Sequence, residues 1–334
     1  MEFQVPIKIN PLPHPLTYND SLLLVGSCFT EHIGNKLQEL KMNVLQNPNG
    51  ILFDPFSVAA SLVSYIQNRQ YTKDDLFYYN EVWQSWHHHS RFANVDAEAC
   101  VDGINKSQQQ AHNFLKKATC IIITLGSSFS YHLTTEAPSS VKNNMIGGEV
   151  ANCHRAPAQW FTKHLMGIEE TNAALDSCIH QLKHLNPQLK IIFTVSPVRH
   201  IRDGVVENNR SKARLIEVVH NLVNKFDGLY YFPAYELVID VLRDYRFYDV
   251  DMVHPNYPAT EFVLEKFIAN CIDQPSQQLM EEIRKIVIAA RHRPMQPNTN
   301  AHKQFLEAHL QKAKELQHKY PFLDLADELA YFSR

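Results

Sequence analysis

Ser21-Leu-Leu-Leu-Val-Gly-Ser-Cys-Phe29 decides the fold. Its first part, Ser21 to Gly26, is a short apolar run of the kind that forms a strand buried on both faces. Directly after Ser27 the apolar period changes. Phe29, Ile33, Leu37 and Leu40 recur at helical spacing. The stretch therefore reads as strand, tight turn, helix.

The same alternation continues downstream. Residues 41–46 read as a second strand, followed by the turn-rich Asn47-Pro-Asn-Gly50. Helices are predicted over 57–68 and 107–117. A strong strand, Thr119 to Leu125, ends in Gly126, and a helix over 169–185 is stopped by Asn186-Pro187. Lys190 to Val195 is another buried-type strand, ending at Ser196-Pro197. A helix over 209–224, a strand over 229–232, a segment over 235–242 and a helix over 259–271 complete the pattern. Strands alternating with helices predict an α/β fold with a mostly parallel sheet covered on both faces.

Three regions fall outside this alternation. Residues 71–103 read as an irregular insertion rich in aromatics and histidines. The polar stretch from 126 to about 155 reads as a long loop with room for a hairpin, and loops of that length are usually functional or disordered. Residues 275–334 hold two amphipathic helical stretches around Pro294-Met-Gln-Pro297; in the second, Leu306, Leu310, Ala313, Leu316 and Tyr320 form one stripe. The expected organisation is one domain over 1–272 and a helical extension over 273–334, packed on the domain or on a partner, where it offers a route to oligomers.

Composition narrows the class. With 334 residues and 45% hydrophobic content there is ample material for a large core. The net charge of -3 implies no strong pull toward nucleic acid or anionic membrane. Six scattered cysteines with no C-x-x-C pair speak against a disulfide framework or zinc knuckle and favour a reducing compartment. The first ten residues lack a signal-peptide layout, and no run of about 18 apolar residues offers a membrane span. A cytoplasmic location is expected.

Open parallel sheets place ligands beyond the carboxyl ends of their strands. Those ends carry Gly26-Ser27-Cys28, Gly126-Ser127-Ser128 and Ser196-Pro-Val-Arg199-His200, and a later loop delivers Asp251 and His254. Ser27 stands where a strand becomes a helix, where free N–H groups would stabilise an oxyanion. Serine is also a favoured helix N-cap, so position alone leaves cap and nucleophile both open. Asp251-Met-Val-His254-Pro255 supplies a base and, three residues earlier, an acid to fix its tautomer. Read alone, that motif is also compatible with an ordinary turn bearing a surface histidine. Together, the two elements make a Ser-His-Asp triad the better reading.

At this point a resemblance becomes specific. Gly26-Ser-Cys-Phe29 resembles the namesake motif of the GSCFA family, within the SGNH/GDSL-like hydrolases. Asn47 through Pro55, Trp83 through Ser90, Ile123 through Gly126, Asn152-Cys-His154 and Asp251 through Pro255 resemble that family in the same order, over residues 1–270. The resemblance implies a flavodoxin-like three-layer sandwich and an esterase-like site. It maps the nucleophile to Ser27 and the base and acid to His254 and Asp251, with the main-chain N–H groups of Ser27 and Gly50 as oxyanion donors. Two departures stand out. No aspartate precedes Ser27, and Gly126-Ser127-Ser128 lacks the asparagine that supplies an oxyanion donor in the wider superfamily. One missing donor costs roughly 10²–10³ in rate if nothing replaces it. Asn152, an amide in a polar loop, is a candidate replacement, and His154 beside it a candidate site residue.

Other residues carry competing readings. Cys28 is a less favoured nucleophile, since the residue after a turn nucleophile usually points into helix–sheet packing. His87, His88 and His89 suggest a metal, with His132, His154 or His200 completing it, but adjacent side chains diverge and no metal is expected. His89 is the one of the three expected to line the cleft. Trp83 and Trp86 fit either a stacking platform for a sugar or acyl chain or plain packing. Arg199 fits either an anionic substrate group or a structural ion pair.

The function that follows is hydrolysis of a carboxylic ester of a small molecule or saccharide through an acyl-enzyme, with no cofactor. Acyl transfer uses the same triad. A non-catalytic binding protein retaining the fold is the alternative that the missing asparagine motivates. A dinucleotide or P-loop domain is disfavoured, because neither G-x-G-x-x-G nor a Walker pattern occurs. Activity is expected to fall below roughly pH 6–7 as a histidine base protonates.

Overall fold

The computed structural model describes residues 5–142 and 148–334. Five parallel strands form the central sheet: β1 (Ser21–Gly26), β2 (Asn43–Gln46), and, beyond the short hairpin β3 (Phe77–Tyr79) and β4 (Val82–Gln84), β5 (Cys120–Leu125). A second hairpin joins β6 (Phe129–Leu133) to β7 (Phe161–Leu165), and β8 (Lys190–Val195) and β9 (Leu229–Tyr231) complete the chain's strands. The sheet order is β2-β1-β5-β8-β9. That is the flavodoxin-like order, whose strand sequence reverses between β1 and β5.

Alternation along each strand feeds two cores. Leu22, Leu24, Cys120, Ile122 and Ile192 join helices Cys28–Glu39 and Tyr257–Cys271 on one face. Leu23, Val25, Ile121, Ile123, Ile191 and Phe193 join helices Pro55–Gln67, Ile168–Leu185 and Val205–Lys225 on the other. The result is the expected three-layer sandwich. Register sets the site: Gly26 pairs with Thr124, and Leu125 pairs with Val195. Ser27, Gly126 and Ser196 therefore leave the same sheet edge side by side.

The regions read as irregular prove structured. Helix Ala97–Leu115 begins ten residues earlier than its apolar pattern suggested, because the Asp96 carboxylate accepts from the Ala99 N–H at 2.7 Å and caps it. Its Gly103 weakens the local helix signal. The insertion thus contains a hairpin and the start of that helix. Within the loop after Gly126, β6 pairs antiparallel with β7; residues 143–147 of that loop lie outside the described residues.

Trp86 is buried and stacks on Phe77 at 3.7 Å between ring centroids, and its indole N–H donates to the Val141 carbonyl at 2.8 Å. It packs a small satellite core over the two hairpins and offers no exposed ring to a ligand. Helices Gln274–Ala290, Asn300–Lys319 and Ala326–Phe332 form the tail and share a separate core that includes Leu306, Ala313 and Leu316. Met280, on the first of them, is buried in the core of the main sheet. Among the described residues no helix is long and apolar enough to cross a membrane.

Candidate active site

The turn at Ser27 is fixed from several sides. Gly26 has a φ of +142°, and a Cβ there would lie 2.1 Å from the Thr124 carbonyl oxygen, so only glycine fits. The Gly26 N–H donates to Asn47 Oδ1 at 2.9 Å, and the Ser27 N–H to the Thr124 carbonyl at 3.1 Å. Asn47 is a hub. Its N–H donates to the Leu24 carbonyl at 2.8 Å, its side-chain amide donates to Glu31 at 3.3 Å, and its carbonyl accepts from Arg91 and from the Gly50 N–H.

Ser27 occupies the N-cap position of helix Cys28–Glu39, yet its side chain makes no capping bond. Its Oγ is fully buried and has no hydrogen-bond partner. A hydroxyl that neither caps nor bonds requires another explanation, and chemistry is one. Cys28 is half-buried on the core beside it, and burial raises its thiol pKa.

Asp251 and His254 form a dyad on a loop. Asp251 Oδ2 lies 2.6 Å from His254 Nδ1, while its Oδ1 accepts from the N–H groups of Val253 at 2.9 Å and His254 at 3.0 Å. Those bonds, the His254 N–H first and its ring next, pull the carboxyl pKa down to about 2. Asp251 is therefore an anion that accepts from Nδ1, and it turns Nε2 away from itself as the ring's outward nitrogen. The loop reaches the sheet edge because the Arg199 N–H donates to the Val253 carbonyl at 3.1 Å. The bond from Ser27 Oγ to His254 is not formed in this structure.

The structure distributes the remaining candidates. Gly126 lies against Ser27, where an added Cβ would be 3.3 Å from the Ser27 Cβ. Ser127 bonds to Ser211 at 3.3 Å and lines a cleft of about 570 Å³ with Phe53, Asn152, Arg199, His200 and Val253. Asn152 spends its Oδ1 on the His154 N–H at 2.9 Å. His154 itself packs edge-on against Phe77 and Trp86, and its Nε2–H donates to the Ser85 carbonyl at 2.8 Å. Burial pushes its pKa down to about 4, which fits a neutral packing residue. His89 packs against Gly50, whose own Cβ would lie 2.1 Å from that of His89.

Four main-chain donors around Ser27 are engaged. The N–H of Ser27 goes to Thr124, that of Gly50 to Asn47 at 2.8 Å, and those of Gly126 and Ser127 to the Phe53 carbonyl at 2.8 and 3.0 Å. In this structure the two donors that the resemblance implies are thus occupied.

The three adjacent histidines diverge. His88 is buried and bonds to Ser85 Oγ at 2.9 Å, His87 lines a separate pocket with Arg69 and Glu149, and His89 faces Gly50. Among the described residues no cluster of three or more His, Cys, Asp or Glu side chains is arranged to hold a metal. Arg199 has no carboxylate partner among the described residues. It stacks over Tyr248 and Tyr245 at 4.2 and 5.1 Å instead of forming the ion pair considered from sequence.

Two residues of the site escape sequence reasoning. Asn47 reads as part of a turn and of a family-like stretch, not as a hub. Lys212 is not singled out from the sequence, although it falls on the stripe Asn208, Ser211, Leu215, Val218 and Leu222 that faces the core. That placement was the available signal.

The model of the GSCFA family matches residues 21–267, and that of the GSCFA domain protein C-terminal domain matches residues 283–334. The chain belongs to the GSCFA family. Solved structures similar to this GSCFA protein include a carbohydrate esterase family 3 protein from Talaromyces cellulolyticus, at 10% identity and a TM-score of 0.37, covering 80% of this chain and 99% of that one. A family 3 carbohydrate esterase of Clostridium thermocellum is 8% identical with a TM-score of 0.33, covering 80% and 98%. An acetyl xylan esterase from the rumen bacterium Butyrivibrio proteoclasticus is 12% identical with a TM-score of 0.35, covering 77% and 64%. A search of curated proteins returned no match.

Proposed function

We propose that this GSCFA protein is a serine hydrolase of carboxylic esters of small molecules or saccharides, with Ser27 as nucleophile, His254 as base and Asp251 as its partner. The observation that carries this reading is the Asp251–His254 dyad, with Nε2 free, on the same sheet edge as the unpartnered Ser27 hydroxyl. His254 Nε2 takes the Ser27 proton as Oγ attacks the ester carbonyl. The tetrahedral intermediate then expels the alcohol, which receives that proton, and leaves an acyl-serine. Water, deprotonated in turn by His254, releases the acid and restores Ser27. The Ser27–His254 contact has to close when substrate binds, and catalytic hydrogen bonds in substrate-free sites are often incomplete.

One observation favours a second reading. Ser27 is fully buried, and its own N–H and those of Gly50, Gly126 and Ser127 are spent on carbonyls, which suits a protein that binds ligand in the cleft without turning it over. A fluorophosphonate probe separates the two. Covalent labelling at Ser27, absent from S27A, is the expected result and supports the hydrolase. An unlabelled wild-type protein would reject it in favour of the binder. A panel of aryl esters from acetyl to long acyl chains then reads substrate preference.

A further inference from the structure

Lys212 is the most unusual charge in the molecule. It projects from helix Val205–Lys225 into the sheet edge and is 1% exposed. Its Nζ donates to the Gly126 carbonyl at 2.6 Å and to the Ser196 carbonyl at 2.6 Å. Among the described residues no carboxylate pairs with it. Buried charges are normally paired, because an unpaired one loses its hydration without compensation. The preceding residue takes part in the same clamp, since Ser211 Oγ accepts from the Ser128 N–H at 2.7 Å. One helix turn thus grips the carboxyl ends of β5 and β8, and the Gly126 that Lys212 holds lies directly against Ser27.

We propose that Lys212 is a positioning residue whose buried positive charge, delivered through the Gly126 carbonyl, stabilises the negative charge that develops at Ser27 and its substrate. This rests on the serine-hydrolase reading above. The chemistry is that of electrostatic preorganisation. A cation with no fixed counter-ion in the resting protein acquires one only when the oxyanion forms. It also answers the site's deficit, since the usual asparagine is missing and the N–H groups of Ser27, Gly50, Gly126 and Ser127 are engaged.

The charge is removable. Burial, first of all, lowers the Lys212 pKa to about 7. The groups facing it are Cys28 from helix Cys28–Glu39, His200 from the loop after β8, and the Tyr235 ring at 5.9 Å. His200 is itself held neutral, its pKa pushed down to about 3 by burial and then by Lys212. Below about pH 7 Lys212 is the cation that the proposal needs, and above it the charge is lost.

The test is the rate of fluorophosphonate labelling at Ser27 against pH, in the full chain and in K212M and K212R. Wild-type labelling should fall above about pH 7. K212M should label at least about tenfold slower at pH 7 and lack the alkaline limb, a loss smaller than that of a direct oxyanion donor. K212R keeps its proton, so its alkaline limb should move up by two pH units or more. A wild-type rate that stays flat above pH 7, or a K212M variant with wild-type rate and profile, overturns the role of Lys212 while leaving Ser27 as nucleophile. Absence of wild-type labelling at every pH overturns the serine reading and this one with it. If K212M does not fold, K212R decides: an alkaline limb unmoved from its wild-type position overturns the role of Lys212.

Discussion

The two halves of the proposed site are built in opposite ways. The Ser27 half is buried and held by long-range bonds: Gly26 to Asn47, Ser27 to Thr124, Gly126 to Phe53 and to Lys212. The Asp251–His254 half is local. Its carboxylate bonds only to groups two and three residues along the chain, and both side chains are almost half exposed, at 46% and 42%. Damage to the first half should therefore be felt by the fold, and damage to the second by the chemistry alone.

The sharpest departure from that rule is Ser27 itself, which belongs to the buried half but whose hydroxyl bonds to nothing. S27A should abolish probe labelling and ester turnover while leaving unfolding by urea within about 1 kcal/mol of wild type, since no made hydrogen bond is lost. Marked destabilisation would mean that the hydroxyl is structural after all. D251N comes next. Its ring partner would lose both tautomer control and charge stabilisation, and labelling should slow by about 10³–10⁴ with little change in melting temperature. Asp251 is already ionised down to about pH 2, so wild-type activity at mildly acidic pH is not limited by it.

N47A should do the reverse. It strands the buried Gly26 N–H and places alanine at a φ of 42°, a combined cost of about 2–4 kcal/mol in urea unfolding. Were N47A as stable as wild type, the contrast between the halves would collapse. The smallest effect belongs to Met252→Gly. Met252 is exposed with a φ of 58°, so glycine relieves backbone strain but frees the unfolded chain. The net change should stay below about 1 kcal/mol, with labelling slowed at most several-fold. A loss as large as that of D251N would show that this residue's backbone strain holds the dyad in place.

What was legible in the sequence follows the same division between local and long-range. The β1 turn was readable because apolar spacing switches period at Ser27. Asp251 and His254 were readable because acid and base sit three residues apart. The central strands announced themselves as uninterrupted apolar runs. Asn47 was not readable as a hub, since its partners Leu24, Glu31 and Arg91 come from separate segments. The pairing of Phe129–Leu133 with Phe161–Leu165 was hidden for a similar reason, because it spans a long polar stretch. Trp86 looked as much like a ligand platform as a core residue until its stacking on Phe77 was seen. Lys212 carried the subtlest signal, a lysine in a stripe otherwise meant for the core.

Met280 has a consequence beyond the site. It stands on the first helix of the tail, where Leu279 and Ile283 face the tail's own core, yet Met280 is counted among the side chains under the main sheet. One helix therefore belongs to two cores at once. Removing such a buried methionine costs a core about 2–5 kcal/mol. Through Met280 the tail and the sheet domain share packing, so loss of the tail should weaken the sheet domain by an amount of that order.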